Sequence, residues 1–232
     1  MLTDAEKIKL IEAAKDYRYL LDRGYPQSVL DIICARYLID SKLRSALYRS
    51  VHSGRDAQTI RSKLCCSATE CSSSTLVLDL FNVMITIVAA MKGEPIFLGD
   101  DCLARDIRGS KIRRGEEELA LKALEVIIDI VRRAGFRRVI AIGDKNVKFS
   151  AMYAHILGRE LSRYSIDYSY ELCNKSDSRI IELGQELPVA SSDIVIVKSV
   201  LKVYPLTTLA MRILGVSTEL DFAYILDGYK CP

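Results

Sequence analysis

From residue 75 onward, short apolar segments that favour β-strands alternate with segments that favour helices. The strand-like segments are TLVLDLF (75–81), EPIFLGD (94–100), RRVIAIGD (137–144), YSIDYSYEL (164–172), LPVASSDIVIV (187–197) and FAYIL (222–226). Helical segments are expected at about residues 83–92, 115–134, 148–163, 176–186 and 205–214. This alternation predicts an α/β fold with a mostly parallel sheet covered by helices on both faces.

The segment before residue 65 has only helical periodicity. Apolar residues recur at helical spacing from Asp4 to about Arg23, and Gly24-Tyr25-Pro26 is expected to end that helix. A second helix is predicted at residues 28–39, and Asp40 is a suitable N-cap for a third. The run CCSATECSSST lacks periodicity and is typical of a linker. We therefore predict a helical basic module at residues 1–64, a linker at 65–75 and the α/β domain at 76–232.

Basic residues are concentrated in two segments, although the net charge of the whole chain is only +3. The segment from Arg36 to Lys63 contains seven basic and two acidic residues, which gives a local net charge of +5. Such a stripe suits contacts with the phosphates of nucleic acid, and a solvated helix face is the alternative. The second segment is ARDIRGSKIRRGEEE, in which the arginines and Lys111 either contact phosphate or pair with residues 116–118. The candidate phosphate-binding residues are Arg36, Arg44, Arg49, Arg105, Arg108, Arg113 and Arg114.

Several classes of protein are disfavoured by composition. No apolar run reaches the roughly 18 to 20 residues of a membrane-spanning helix, and the N-terminus is too charged for a secretory signal. A cytoplasmic protein without membrane contact is expected, and its seven cysteines should be mostly reduced. Two histidines argue against histidine-based metal sites and Ser/His/Asp catalysis. The chain contains neither GxGxxG nor GxxxxGK[ST], which argues against a nucleotide-binding enzyme.

Aspartates lie at or near the ends of four strand-like segments. Asp79 interrupts the apolar run STLVLDLFNVMITIVAA, Asp100 and Asp101 follow the second segment, Asp144 ends the third and Asp193 lies within the fifth. Because the carboxyl ends of parallel strands meet at one edge of a sheet, these side chains should lie close together. Carboxylates without histidines are the ligands that Mg²⁺ and Mn²⁺ prefer. A bound cation would also offset the cost of burying Asp79.

The predicted metal ligands are Asp79, Asp101, Asp144 and Asp193. Their chemistry would be metal-assisted phosphodiester hydrolysis, with the neighbouring basic segment holding the nucleic-acid backbone. Each aspartate could instead cap a helix or stabilise a turn, but four at one sheet edge favour a shared site.

The N-terminal segment carries four motifs in order, namely Arg18, Gly24-Tyr25-Pro26, Arg36-Tyr37 and Tyr48-Arg49. In this arrangement it resembles the archaeal domain-of-unknown-function-434 proteins, and the rest resembles the PIN-like or NYN-like domain usually attached to them. The second resemblance rests on Asp79 with Asn82, Asp101 with Arg105 and Asp106, Asp144 with Ser150, and Ser192 with Asp193. Three features depart from the pattern: Val88 stands where the family tends to have glutamate, Cys102 where it has glycine, and NVKFSA keeps only Val147 and Ser150 of the family's turn after the third-strand aspartate.

The resemblance implies that Asn82 and Ser150 orient water or phosphate and that Asp106 supports the metal ligands. The leading hypothesis is a nuclease dependent on Mg²⁺ or Mn²⁺, acting on RNA, with a nucleic-acid-binding N-terminal module. The alternative is a non-catalytic nucleic-acid-binding or scaffolding protein that keeps the PIN-like fold, for which the absent acid at Val88 is the argument. Both hypotheses leave homo-oligomerisation open.

Overall fold

The computed structural model describes residues 1–108, 112–145 and 150–231. Its N-terminal region contains α1 (Asp4–Asp22), α2 (Leu30–Tyr37), α3 (Ser41–Ser50) and α4 (Gly54–Arg61). Thr3 and Glu6 form a capping box at the start of α1. The Asp40 carboxylate accepts the N–H of Leu43 at 2.8 Å, which confirms Asp40 as the N-cap of α3. Helix α4, capped by Ser53, was not predicted as a separate element.

The remaining elements follow the predicted alternation in most places. They are β1 (Thr75–Asp79), α5 (Leu80–Met91), β2 (Ile96–Leu98), β3 (Ala104–Asp106), α6 (Glu117–Ala134), β4 (Arg138–Asp144), α7 (Ser150–Ser162), β5 (Asp167–Cys173), α8 (Ser176–Leu183), β6 (Val189–Ala190), α9 (Ile194–Ser199), α10 (Leu206–Leu214) and α11 (Phe222–Asp227). Within the described ranges, strands pair in parallel in the order β5-β4-β1-β6, and β2 pairs with β3 in a separate antiparallel sheet. The predicted α/β class with a mostly parallel sheet and a preceding helical region is confirmed.

Helices cover both faces of the parallel sheet. Leu76 and Leu78 of β1 belong to one buried cluster, together with residues of α5, α6, α7 and α10. Val77 belongs to another, together with residues of α4, α8 and α9. Since successive side chains of a strand point to opposite faces, these clusters lie on opposite sides of the sheet. A third cluster joins α1, α2 and α3 to Phe97, Leu220 and Phe222, so the helical region shares a core with the α/β region.

The predicted strand at 222–226 is a helix, and the predicted strand at 187–197 forms β6 only at Val189–Ala190 and is helical in its second half. The segment after Asp193 forms α9, because the Asp193 carboxylate accepts the N–H groups of Val195 and Ile196. The segment FAYIL forms α11, which Asp221 caps by accepting the N–H of Tyr224 at 3.0 Å. Short apolar runs fit a strand and a buried helix equally well, and here the capping aspartates decide the outcome. Strand β3 was not predicted, and residues 148 and 149 of the helix predicted at 148–163 lie outside the described residues.

The expectation of mostly reduced cysteines is wrong. Cys65 is bonded to Cys71 and Cys102 to Cys231, with Cα separations of 5.2 and 5.5 Å that suit disulfides. The predicted linker at 65–75 packs on the α/β region, since the Cys65 N–H donates to the Val203 carbonyl at 3.0 Å. Within residues 1–108, 112–145 and 150–231, no helix has both the length and the apolar character needed to cross a membrane.

Candidate functional site

The carboxyl edge of the parallel sheet brings together Asp79, Asp144 and residues 191–193. Strand β1 lies between β4 and β6, with Asp79 paired to Ile142 and Leu78 paired to Ala190. The chain that leaves β6 therefore passes directly beside Asp79. There the Ser191 hydroxyl donates to Asp79 Oδ2 at 2.7 Å.

Asn82 holds the same segment from the first turn of α5. Its Oδ1 accepts both the backbone N–H of Ser192, at 2.9 Å, and the Ser192 hydroxyl, at 2.8 Å. The N–H of Asp193 donates to Ser191 Oγ at 3.1 Å, and the Asp193 carboxylate caps α9. The Asp-x-x-Asn spacing of Asp79 and Asn82 thus places both side chains against residues 191–193.

Four carboxylates at this edge interact unfavourably; we call them the acidic group, and they are Asp79, Asp144, Asp177 and Asp193. The pKa of Asp79 is raised to about 7, mainly by burial and also by the charges of Asp193 and Asp177, while hydrogen bonds from Ser191 and the Asn82 backbone oppose the rise. Burial, Asp193 and Asp144 likewise raise the pKa of Asp177. In the part of the chain that the structure describes, no lysine, arginine or histidine nitrogen forms an ion pair with Asp79.

Asp177 is a member of the acidic group that sequence reasoning missed. It lies in the first turn of α8, immediately after β5. The rule that selected Asp144 considered only acids at or near strand ends; extended to the first turn of the helix predicted after β5, it would have selected Asp177 as well. Within the described residues, no three members of the acidic group bring carboxylate oxygens within 4.8 Å of one another.

Asp101 does not belong to the acidic group, contrary to the prediction that it is a metal ligand. Its carboxylate is fully buried and accepts hydrogen bonds from Arg105 Nη1 at 2.7 Å and Nη2 at 2.5 Å. Burial raises the pKa of Asp101, but the charge and hydrogen bonds of Arg105 outweigh that effect and hold the pKa below its usual range. A bidentate ion pair occupies both oxygens, so Asp101 is not available to a cation at the sheet edge.

A second group of potential ligands, His52, Asp100 and Asp101, lies deeper in the protein, with ligand atoms within 4.8 Å of one another. Asp100 already accepts hydrogen bonds from Arg18 Nη2 at 3.0 Å, the His52 N–H at 2.7 Å and His52 Nδ1 at 2.6 Å. Arg18 and Arg105 neutralise the two carboxylates, so a divalent cation would add uncompensated positive charge. This group is best explained as a buried ion-pair network that ties α1 and the α3–α4 turn to the β2–β3 turn.

The remaining predicted site residues lie apart from the acidic group or at its border. Asp106 accepts hydrogen bonds from the Thr86 hydroxyl at 2.7 Å and the Arg108 N–H at 2.8 Å, which gives it a structural role. Ser150 is buried at the beginning of α7, the helix that follows Asp144. Val88 is fully buried in the core, about 120° around α5 from Asn82. Its replacement of an acid therefore removes no side chain from the acidic group.

The basic segment at residues 104–118 is largely internal. Arg105 and Arg108 are buried, and Arg108 pairs with Glu94 and with Glu116, whose oxygen lies 2.9 Å from Nη1. The prediction that these two arginines contact phosphate does not fit their burial. Arg113 is exposed and pairs weakly with Glu94 at 3.5 Å. Arg114 is exposed without an ion pair to any described residue, and Lys111 lies outside the described residues.

The N-terminal arginines divide in the same way. Arg49 Nη1 donates to the Asp106 carbonyl at 2.7 Å, so it joins α3 to β3 and is only partly exposed. Arg36 and Arg44 are surface residues whose guanidinium groups lie over the rings of Tyr37 and Tyr48, 5.5 and 5.9 Å from the centroids. Their acidic partners, Asp16 and Asp31, are also at the surface. Arg36 and Arg44 are therefore the predicted phosphate-binding residues of this region that remain accessible.

Comparison with known proteins finds two families that match different parts of the chain. Residues 68–209 match the family described as Domain of unknown function (DUF5616), and residues 9–63 match Protein of unknown function (DUF434). An uncharacterized protein of Methanocaldococcus jannaschii is 30% identical over 191 residues, which cover 82% of this chain and 89% of the relative. No solved structure matches significantly. The predicted resemblance of the N-terminal segment is thereby confirmed.

Proposed function

The chain belongs to the family described as Domain of unknown function (DUF5616), and from its own site we propose that it is a divalent-metal-dependent nuclease acting on RNA. The α/β region adopts a PIN-like fold, and the helical region at residues 1–64 binds nucleic acid. Mg²⁺ or Mn²⁺ would bind at the acidic group, that is among Asp79, Asp144, Asp177 and Asp193, and would keep several waters, because no three of these carboxylates have oxygens within 4.8 Å of one another.

The observation that carries this proposal is the contrast between Asp79 and the fully buried acids of the protein. Those acids each have a cationic partner: Asp100 pairs with Arg18, Asp101 with Arg105, Asp106 with Arg49 and Glu116 with Arg108. Asp79 has the Ser191 hydroxyl and neighbouring carboxylates, and among the described residues no cation accompanies it. A divalent cation would supply the missing charge.

The donor set fits a hard cation, because the acidic group offers carboxylate oxygens and the nearby side chains are hydroxyls and an amide. When bound, the ion supplies a Lewis acid that activates water and neutralises charge on the phosphate. The chain's own residues contribute orientation: Ser191 fixes one oxygen of Asp79, and Asn82 fixes the backbone of Ser192.

Single-stranded RNA is the substrate class that the helical region supports. The guanidinium group of Arg36 lies over the partly exposed ring of Tyr37, and that of Arg44 lies over the exposed ring of Tyr48. Unpaired bases stack on aromatic and guanidinium faces of this kind. Lys42 and Arg55 are exposed and form no ion pair within the described ranges, so they can contact phosphate without losing a partner.

Cleavage of a mixed single-stranded RNA pool in Mn²⁺ tests the catalytic part of the proposal. The Asp79→Asn variant keeps the shape of the side chain but removes its charge, so the cleavage rate should fall by orders of magnitude. Asp167→Asn is the matched control, since Asp167 is an exposed acid at the opposite end of its strand. Equal rates in the wild type and Asp79→Asn would reject the proposal.

The second candidate function is nucleic-acid binding without catalysis. The position of Asp101 favours it, because the acid predicted as a fourth ligand is occupied by Arg105. This candidate predicts that the wild type binds RNA but cleaves neither RNA nor DNA in Mg²⁺ or Mn²⁺, and that Asp79→Asn binds RNA unchanged.

RNA binding by the helical region is tested through its salt dependence. Replacing Arg36 and Arg44 together with alanine should weaken binding and reduce the slope of log K against log salt by about one to two units, because each lost phosphate contact removes somewhat less than one. The control removes Lys122 and Arg133, which form comparable surface ion pairs on α6. Identical slopes in the two double variants would assign the arginines to a solvated helix face.

A further inference from the structure

Arg105 is the largest fully buried side chain among the described residues, and only 1% of its surface is exposed. Burying a guanidinium costs several kcal/mol unless charge and hydrogen bonds compensate it. Here Nη1 and Nη2 bind the two oxygens of Asp101, and Nε donates to the Ser192 carbonyl at 2.7 Å. One planar side chain therefore joins the buried ion-pair network to the segment beside the acidic group.

Ser192 is held from two sides. Arg105 binds its carbonyl oxygen, and Asn82 binds its N–H and its hydroxyl. The residues before and after Ser192 are Ser191, which donates to Asp79, and Asp193, a member of the acidic group. Fixing the Ser192 peptide groups therefore fixes the directions of both neighbours.

The surroundings of Arg105 restrict it to this position. Arg105 is the central residue of β3, paired with Phe97 of β2. A Cβ atom at Gly99 would lie 2.4 Å from Arg105 Nη1 and 2.5 Å from Asp101 Oδ1, so the absence of a side chain at residue 99 makes room for the ion pair. The strand, the glycine and the carboxylate together hold the guanidinium in one orientation.

We propose that Arg105, held by Asp101, is a positioning residue that sets residues 191–193 in the geometry in which the acidic group binds its metal ion. The inference rests on the proposed function. It gives Arg105 and Asp101 new roles: the arginine contacts a backbone carbonyl rather than phosphate, and the aspartate acts through the arginine rather than on the metal.

The test is calorimetric titration of Mn²⁺ into Arg105→Lys. Lysine keeps a positive charge beside Asp101 but is a point charge without the planar fork, so it cannot bind both Asp101 oxygens and the Ser192 carbonyl. The dissociation constant for Mn²⁺ should rise at least tenfold, and the electron paramagnetic resonance spectrum of bound Mn²⁺ should change. Arg108→Lys is the matched control, because Arg108 is also buried between carboxylates but does not contact residues 191–193. It should lose stability without changing either Mn²⁺ measurement.

Gly99→Ala provides a second variant if Arg105→Lys does not fold. The added methyl group would collide with the ends of the Arg105 and Asp101 side chains and come within 3.3 Å of the Leu103 carbonyl, so the ion pair should shift more than the backbone, and Mn²⁺ binding should again weaken. A folded Arg105→Lys or Gly99→Ala protein with wild-type Mn²⁺ affinity would overturn the positioning role and leave the proposed function intact. A wild-type protein that binds no Mn²⁺ would overturn both.

Discussion

Replacing Asp79 with asparagine should stabilise the metal-free protein while abolishing its response to metal. The unfolded carboxyl group ionises near its ordinary pKa of 3.8, whereas the folded one ionises at about 7 because of burial and the charges of Asp193 and Asp177. Above pH 7 the folded protein therefore carries a carboxylate that is more stable in the unfolded chain. Asparagine removes that charge and keeps an oxygen that can accept the Ser191 hydroxyl.

The magnitude follows from the difference of about three pKa units between the two states. Each unit corresponds to about 1.4 kcal/mol, which gives an upper value of about 4 kcal/mol. Asp79 is only partly buried, and solvent screening together with a weaker hydrogen bond from Ser191 should reduce the net gain to about 2 kcal/mol. For a chain of this length the unfolding temperature should rise by about 4 to 8 °C.

The dependence on pH has a defined sign. Because the folded pKa of Asp79 lies above the unfolded one, Asp79 loses its proton at a lower pH in the unfolded chain than in the folded protein. The contribution of Asp79 to the free energy of unfolding of the wild type therefore falls as pH rises from about 4 to about 7. The advantage of Asp79→Asn should therefore be small near pH 4 and complete above pH 7. Thermal unfolding in a metal chelator at pH 4.5 and pH 8 measures both limits.

Added Mn²⁺ should reverse the order of stability at pH 8. A ligand present at one hundred times its dissociation constant stabilises the folded state by about 2.7 kcal/mol, and only the wild type should gain this. Asp101→Asn is a control with the opposite sign, because it leaves Arg105 buried without its counter-charge and should cost about 3 to 5 kcal/mol. A loss of about 1 to 3 kcal/mol in Asp79→Asn, equal at both pH values and with or without Mn²⁺, would show that Asp79 is structural.

Two further variants test the buried charges and the β2–β3 turn. Burial opposes the ionisation of Glu116, but hydrogen bonds from Arg108 and Lys92 hold its pKa at about 2, so Glu116→Gln should lose about 3 kcal/mol at pH 7. Its stabilising effect is complete above the unfolded pKa and disappears as pH falls through about 2, so urea unfolding curves of the two proteins should converge near pH 2. Cys102 has a φ of 68°, so Cys102→Gly should be about 1 kcal/mol more stable than Cys102→Ala, since both lose the bond to Cys231 but only alanine remains strained. Equal stabilities would show that residue 102 relaxes once the disulfide is absent.

The sequence was sufficient to predict the α/β class, because burial on both faces of a sheet leaves short apolar runs that alternate with amphipathic helices. It was insufficient to separate strands from short, partly buried helices at residues 194–199 and 222–227. In both cases an aspartate at the helix start decides the structure by accepting backbone N–H groups. Asp193 was selected as a strand-associated acid, and its role as a helix cap became visible only in three dimensions.

The acidic group was predictable only in part, because a carboxylate that awaits a cation and a carboxylate that already has one look alike in sequence. Asp79 is the last residue of β1 and Asp101 lies three residues beyond β2, so both were selected as acids at or near the end of an apolar strand. Their difference lies in Arg105, which the β2–β3 hairpin returns to Asp101, whereas no described cation reaches Asp79. The reversal of the chain between β2 and β3 brings Arg105 beside Asp101, and the burial of Arg105 keeps it there. These two features of the fold determine that Asp101 is neutralised within the protein. The acid left without a partner is the one at which an external cation gains most, and this is why the metal proposal depends on Asp79 rather than on the number of aspartates.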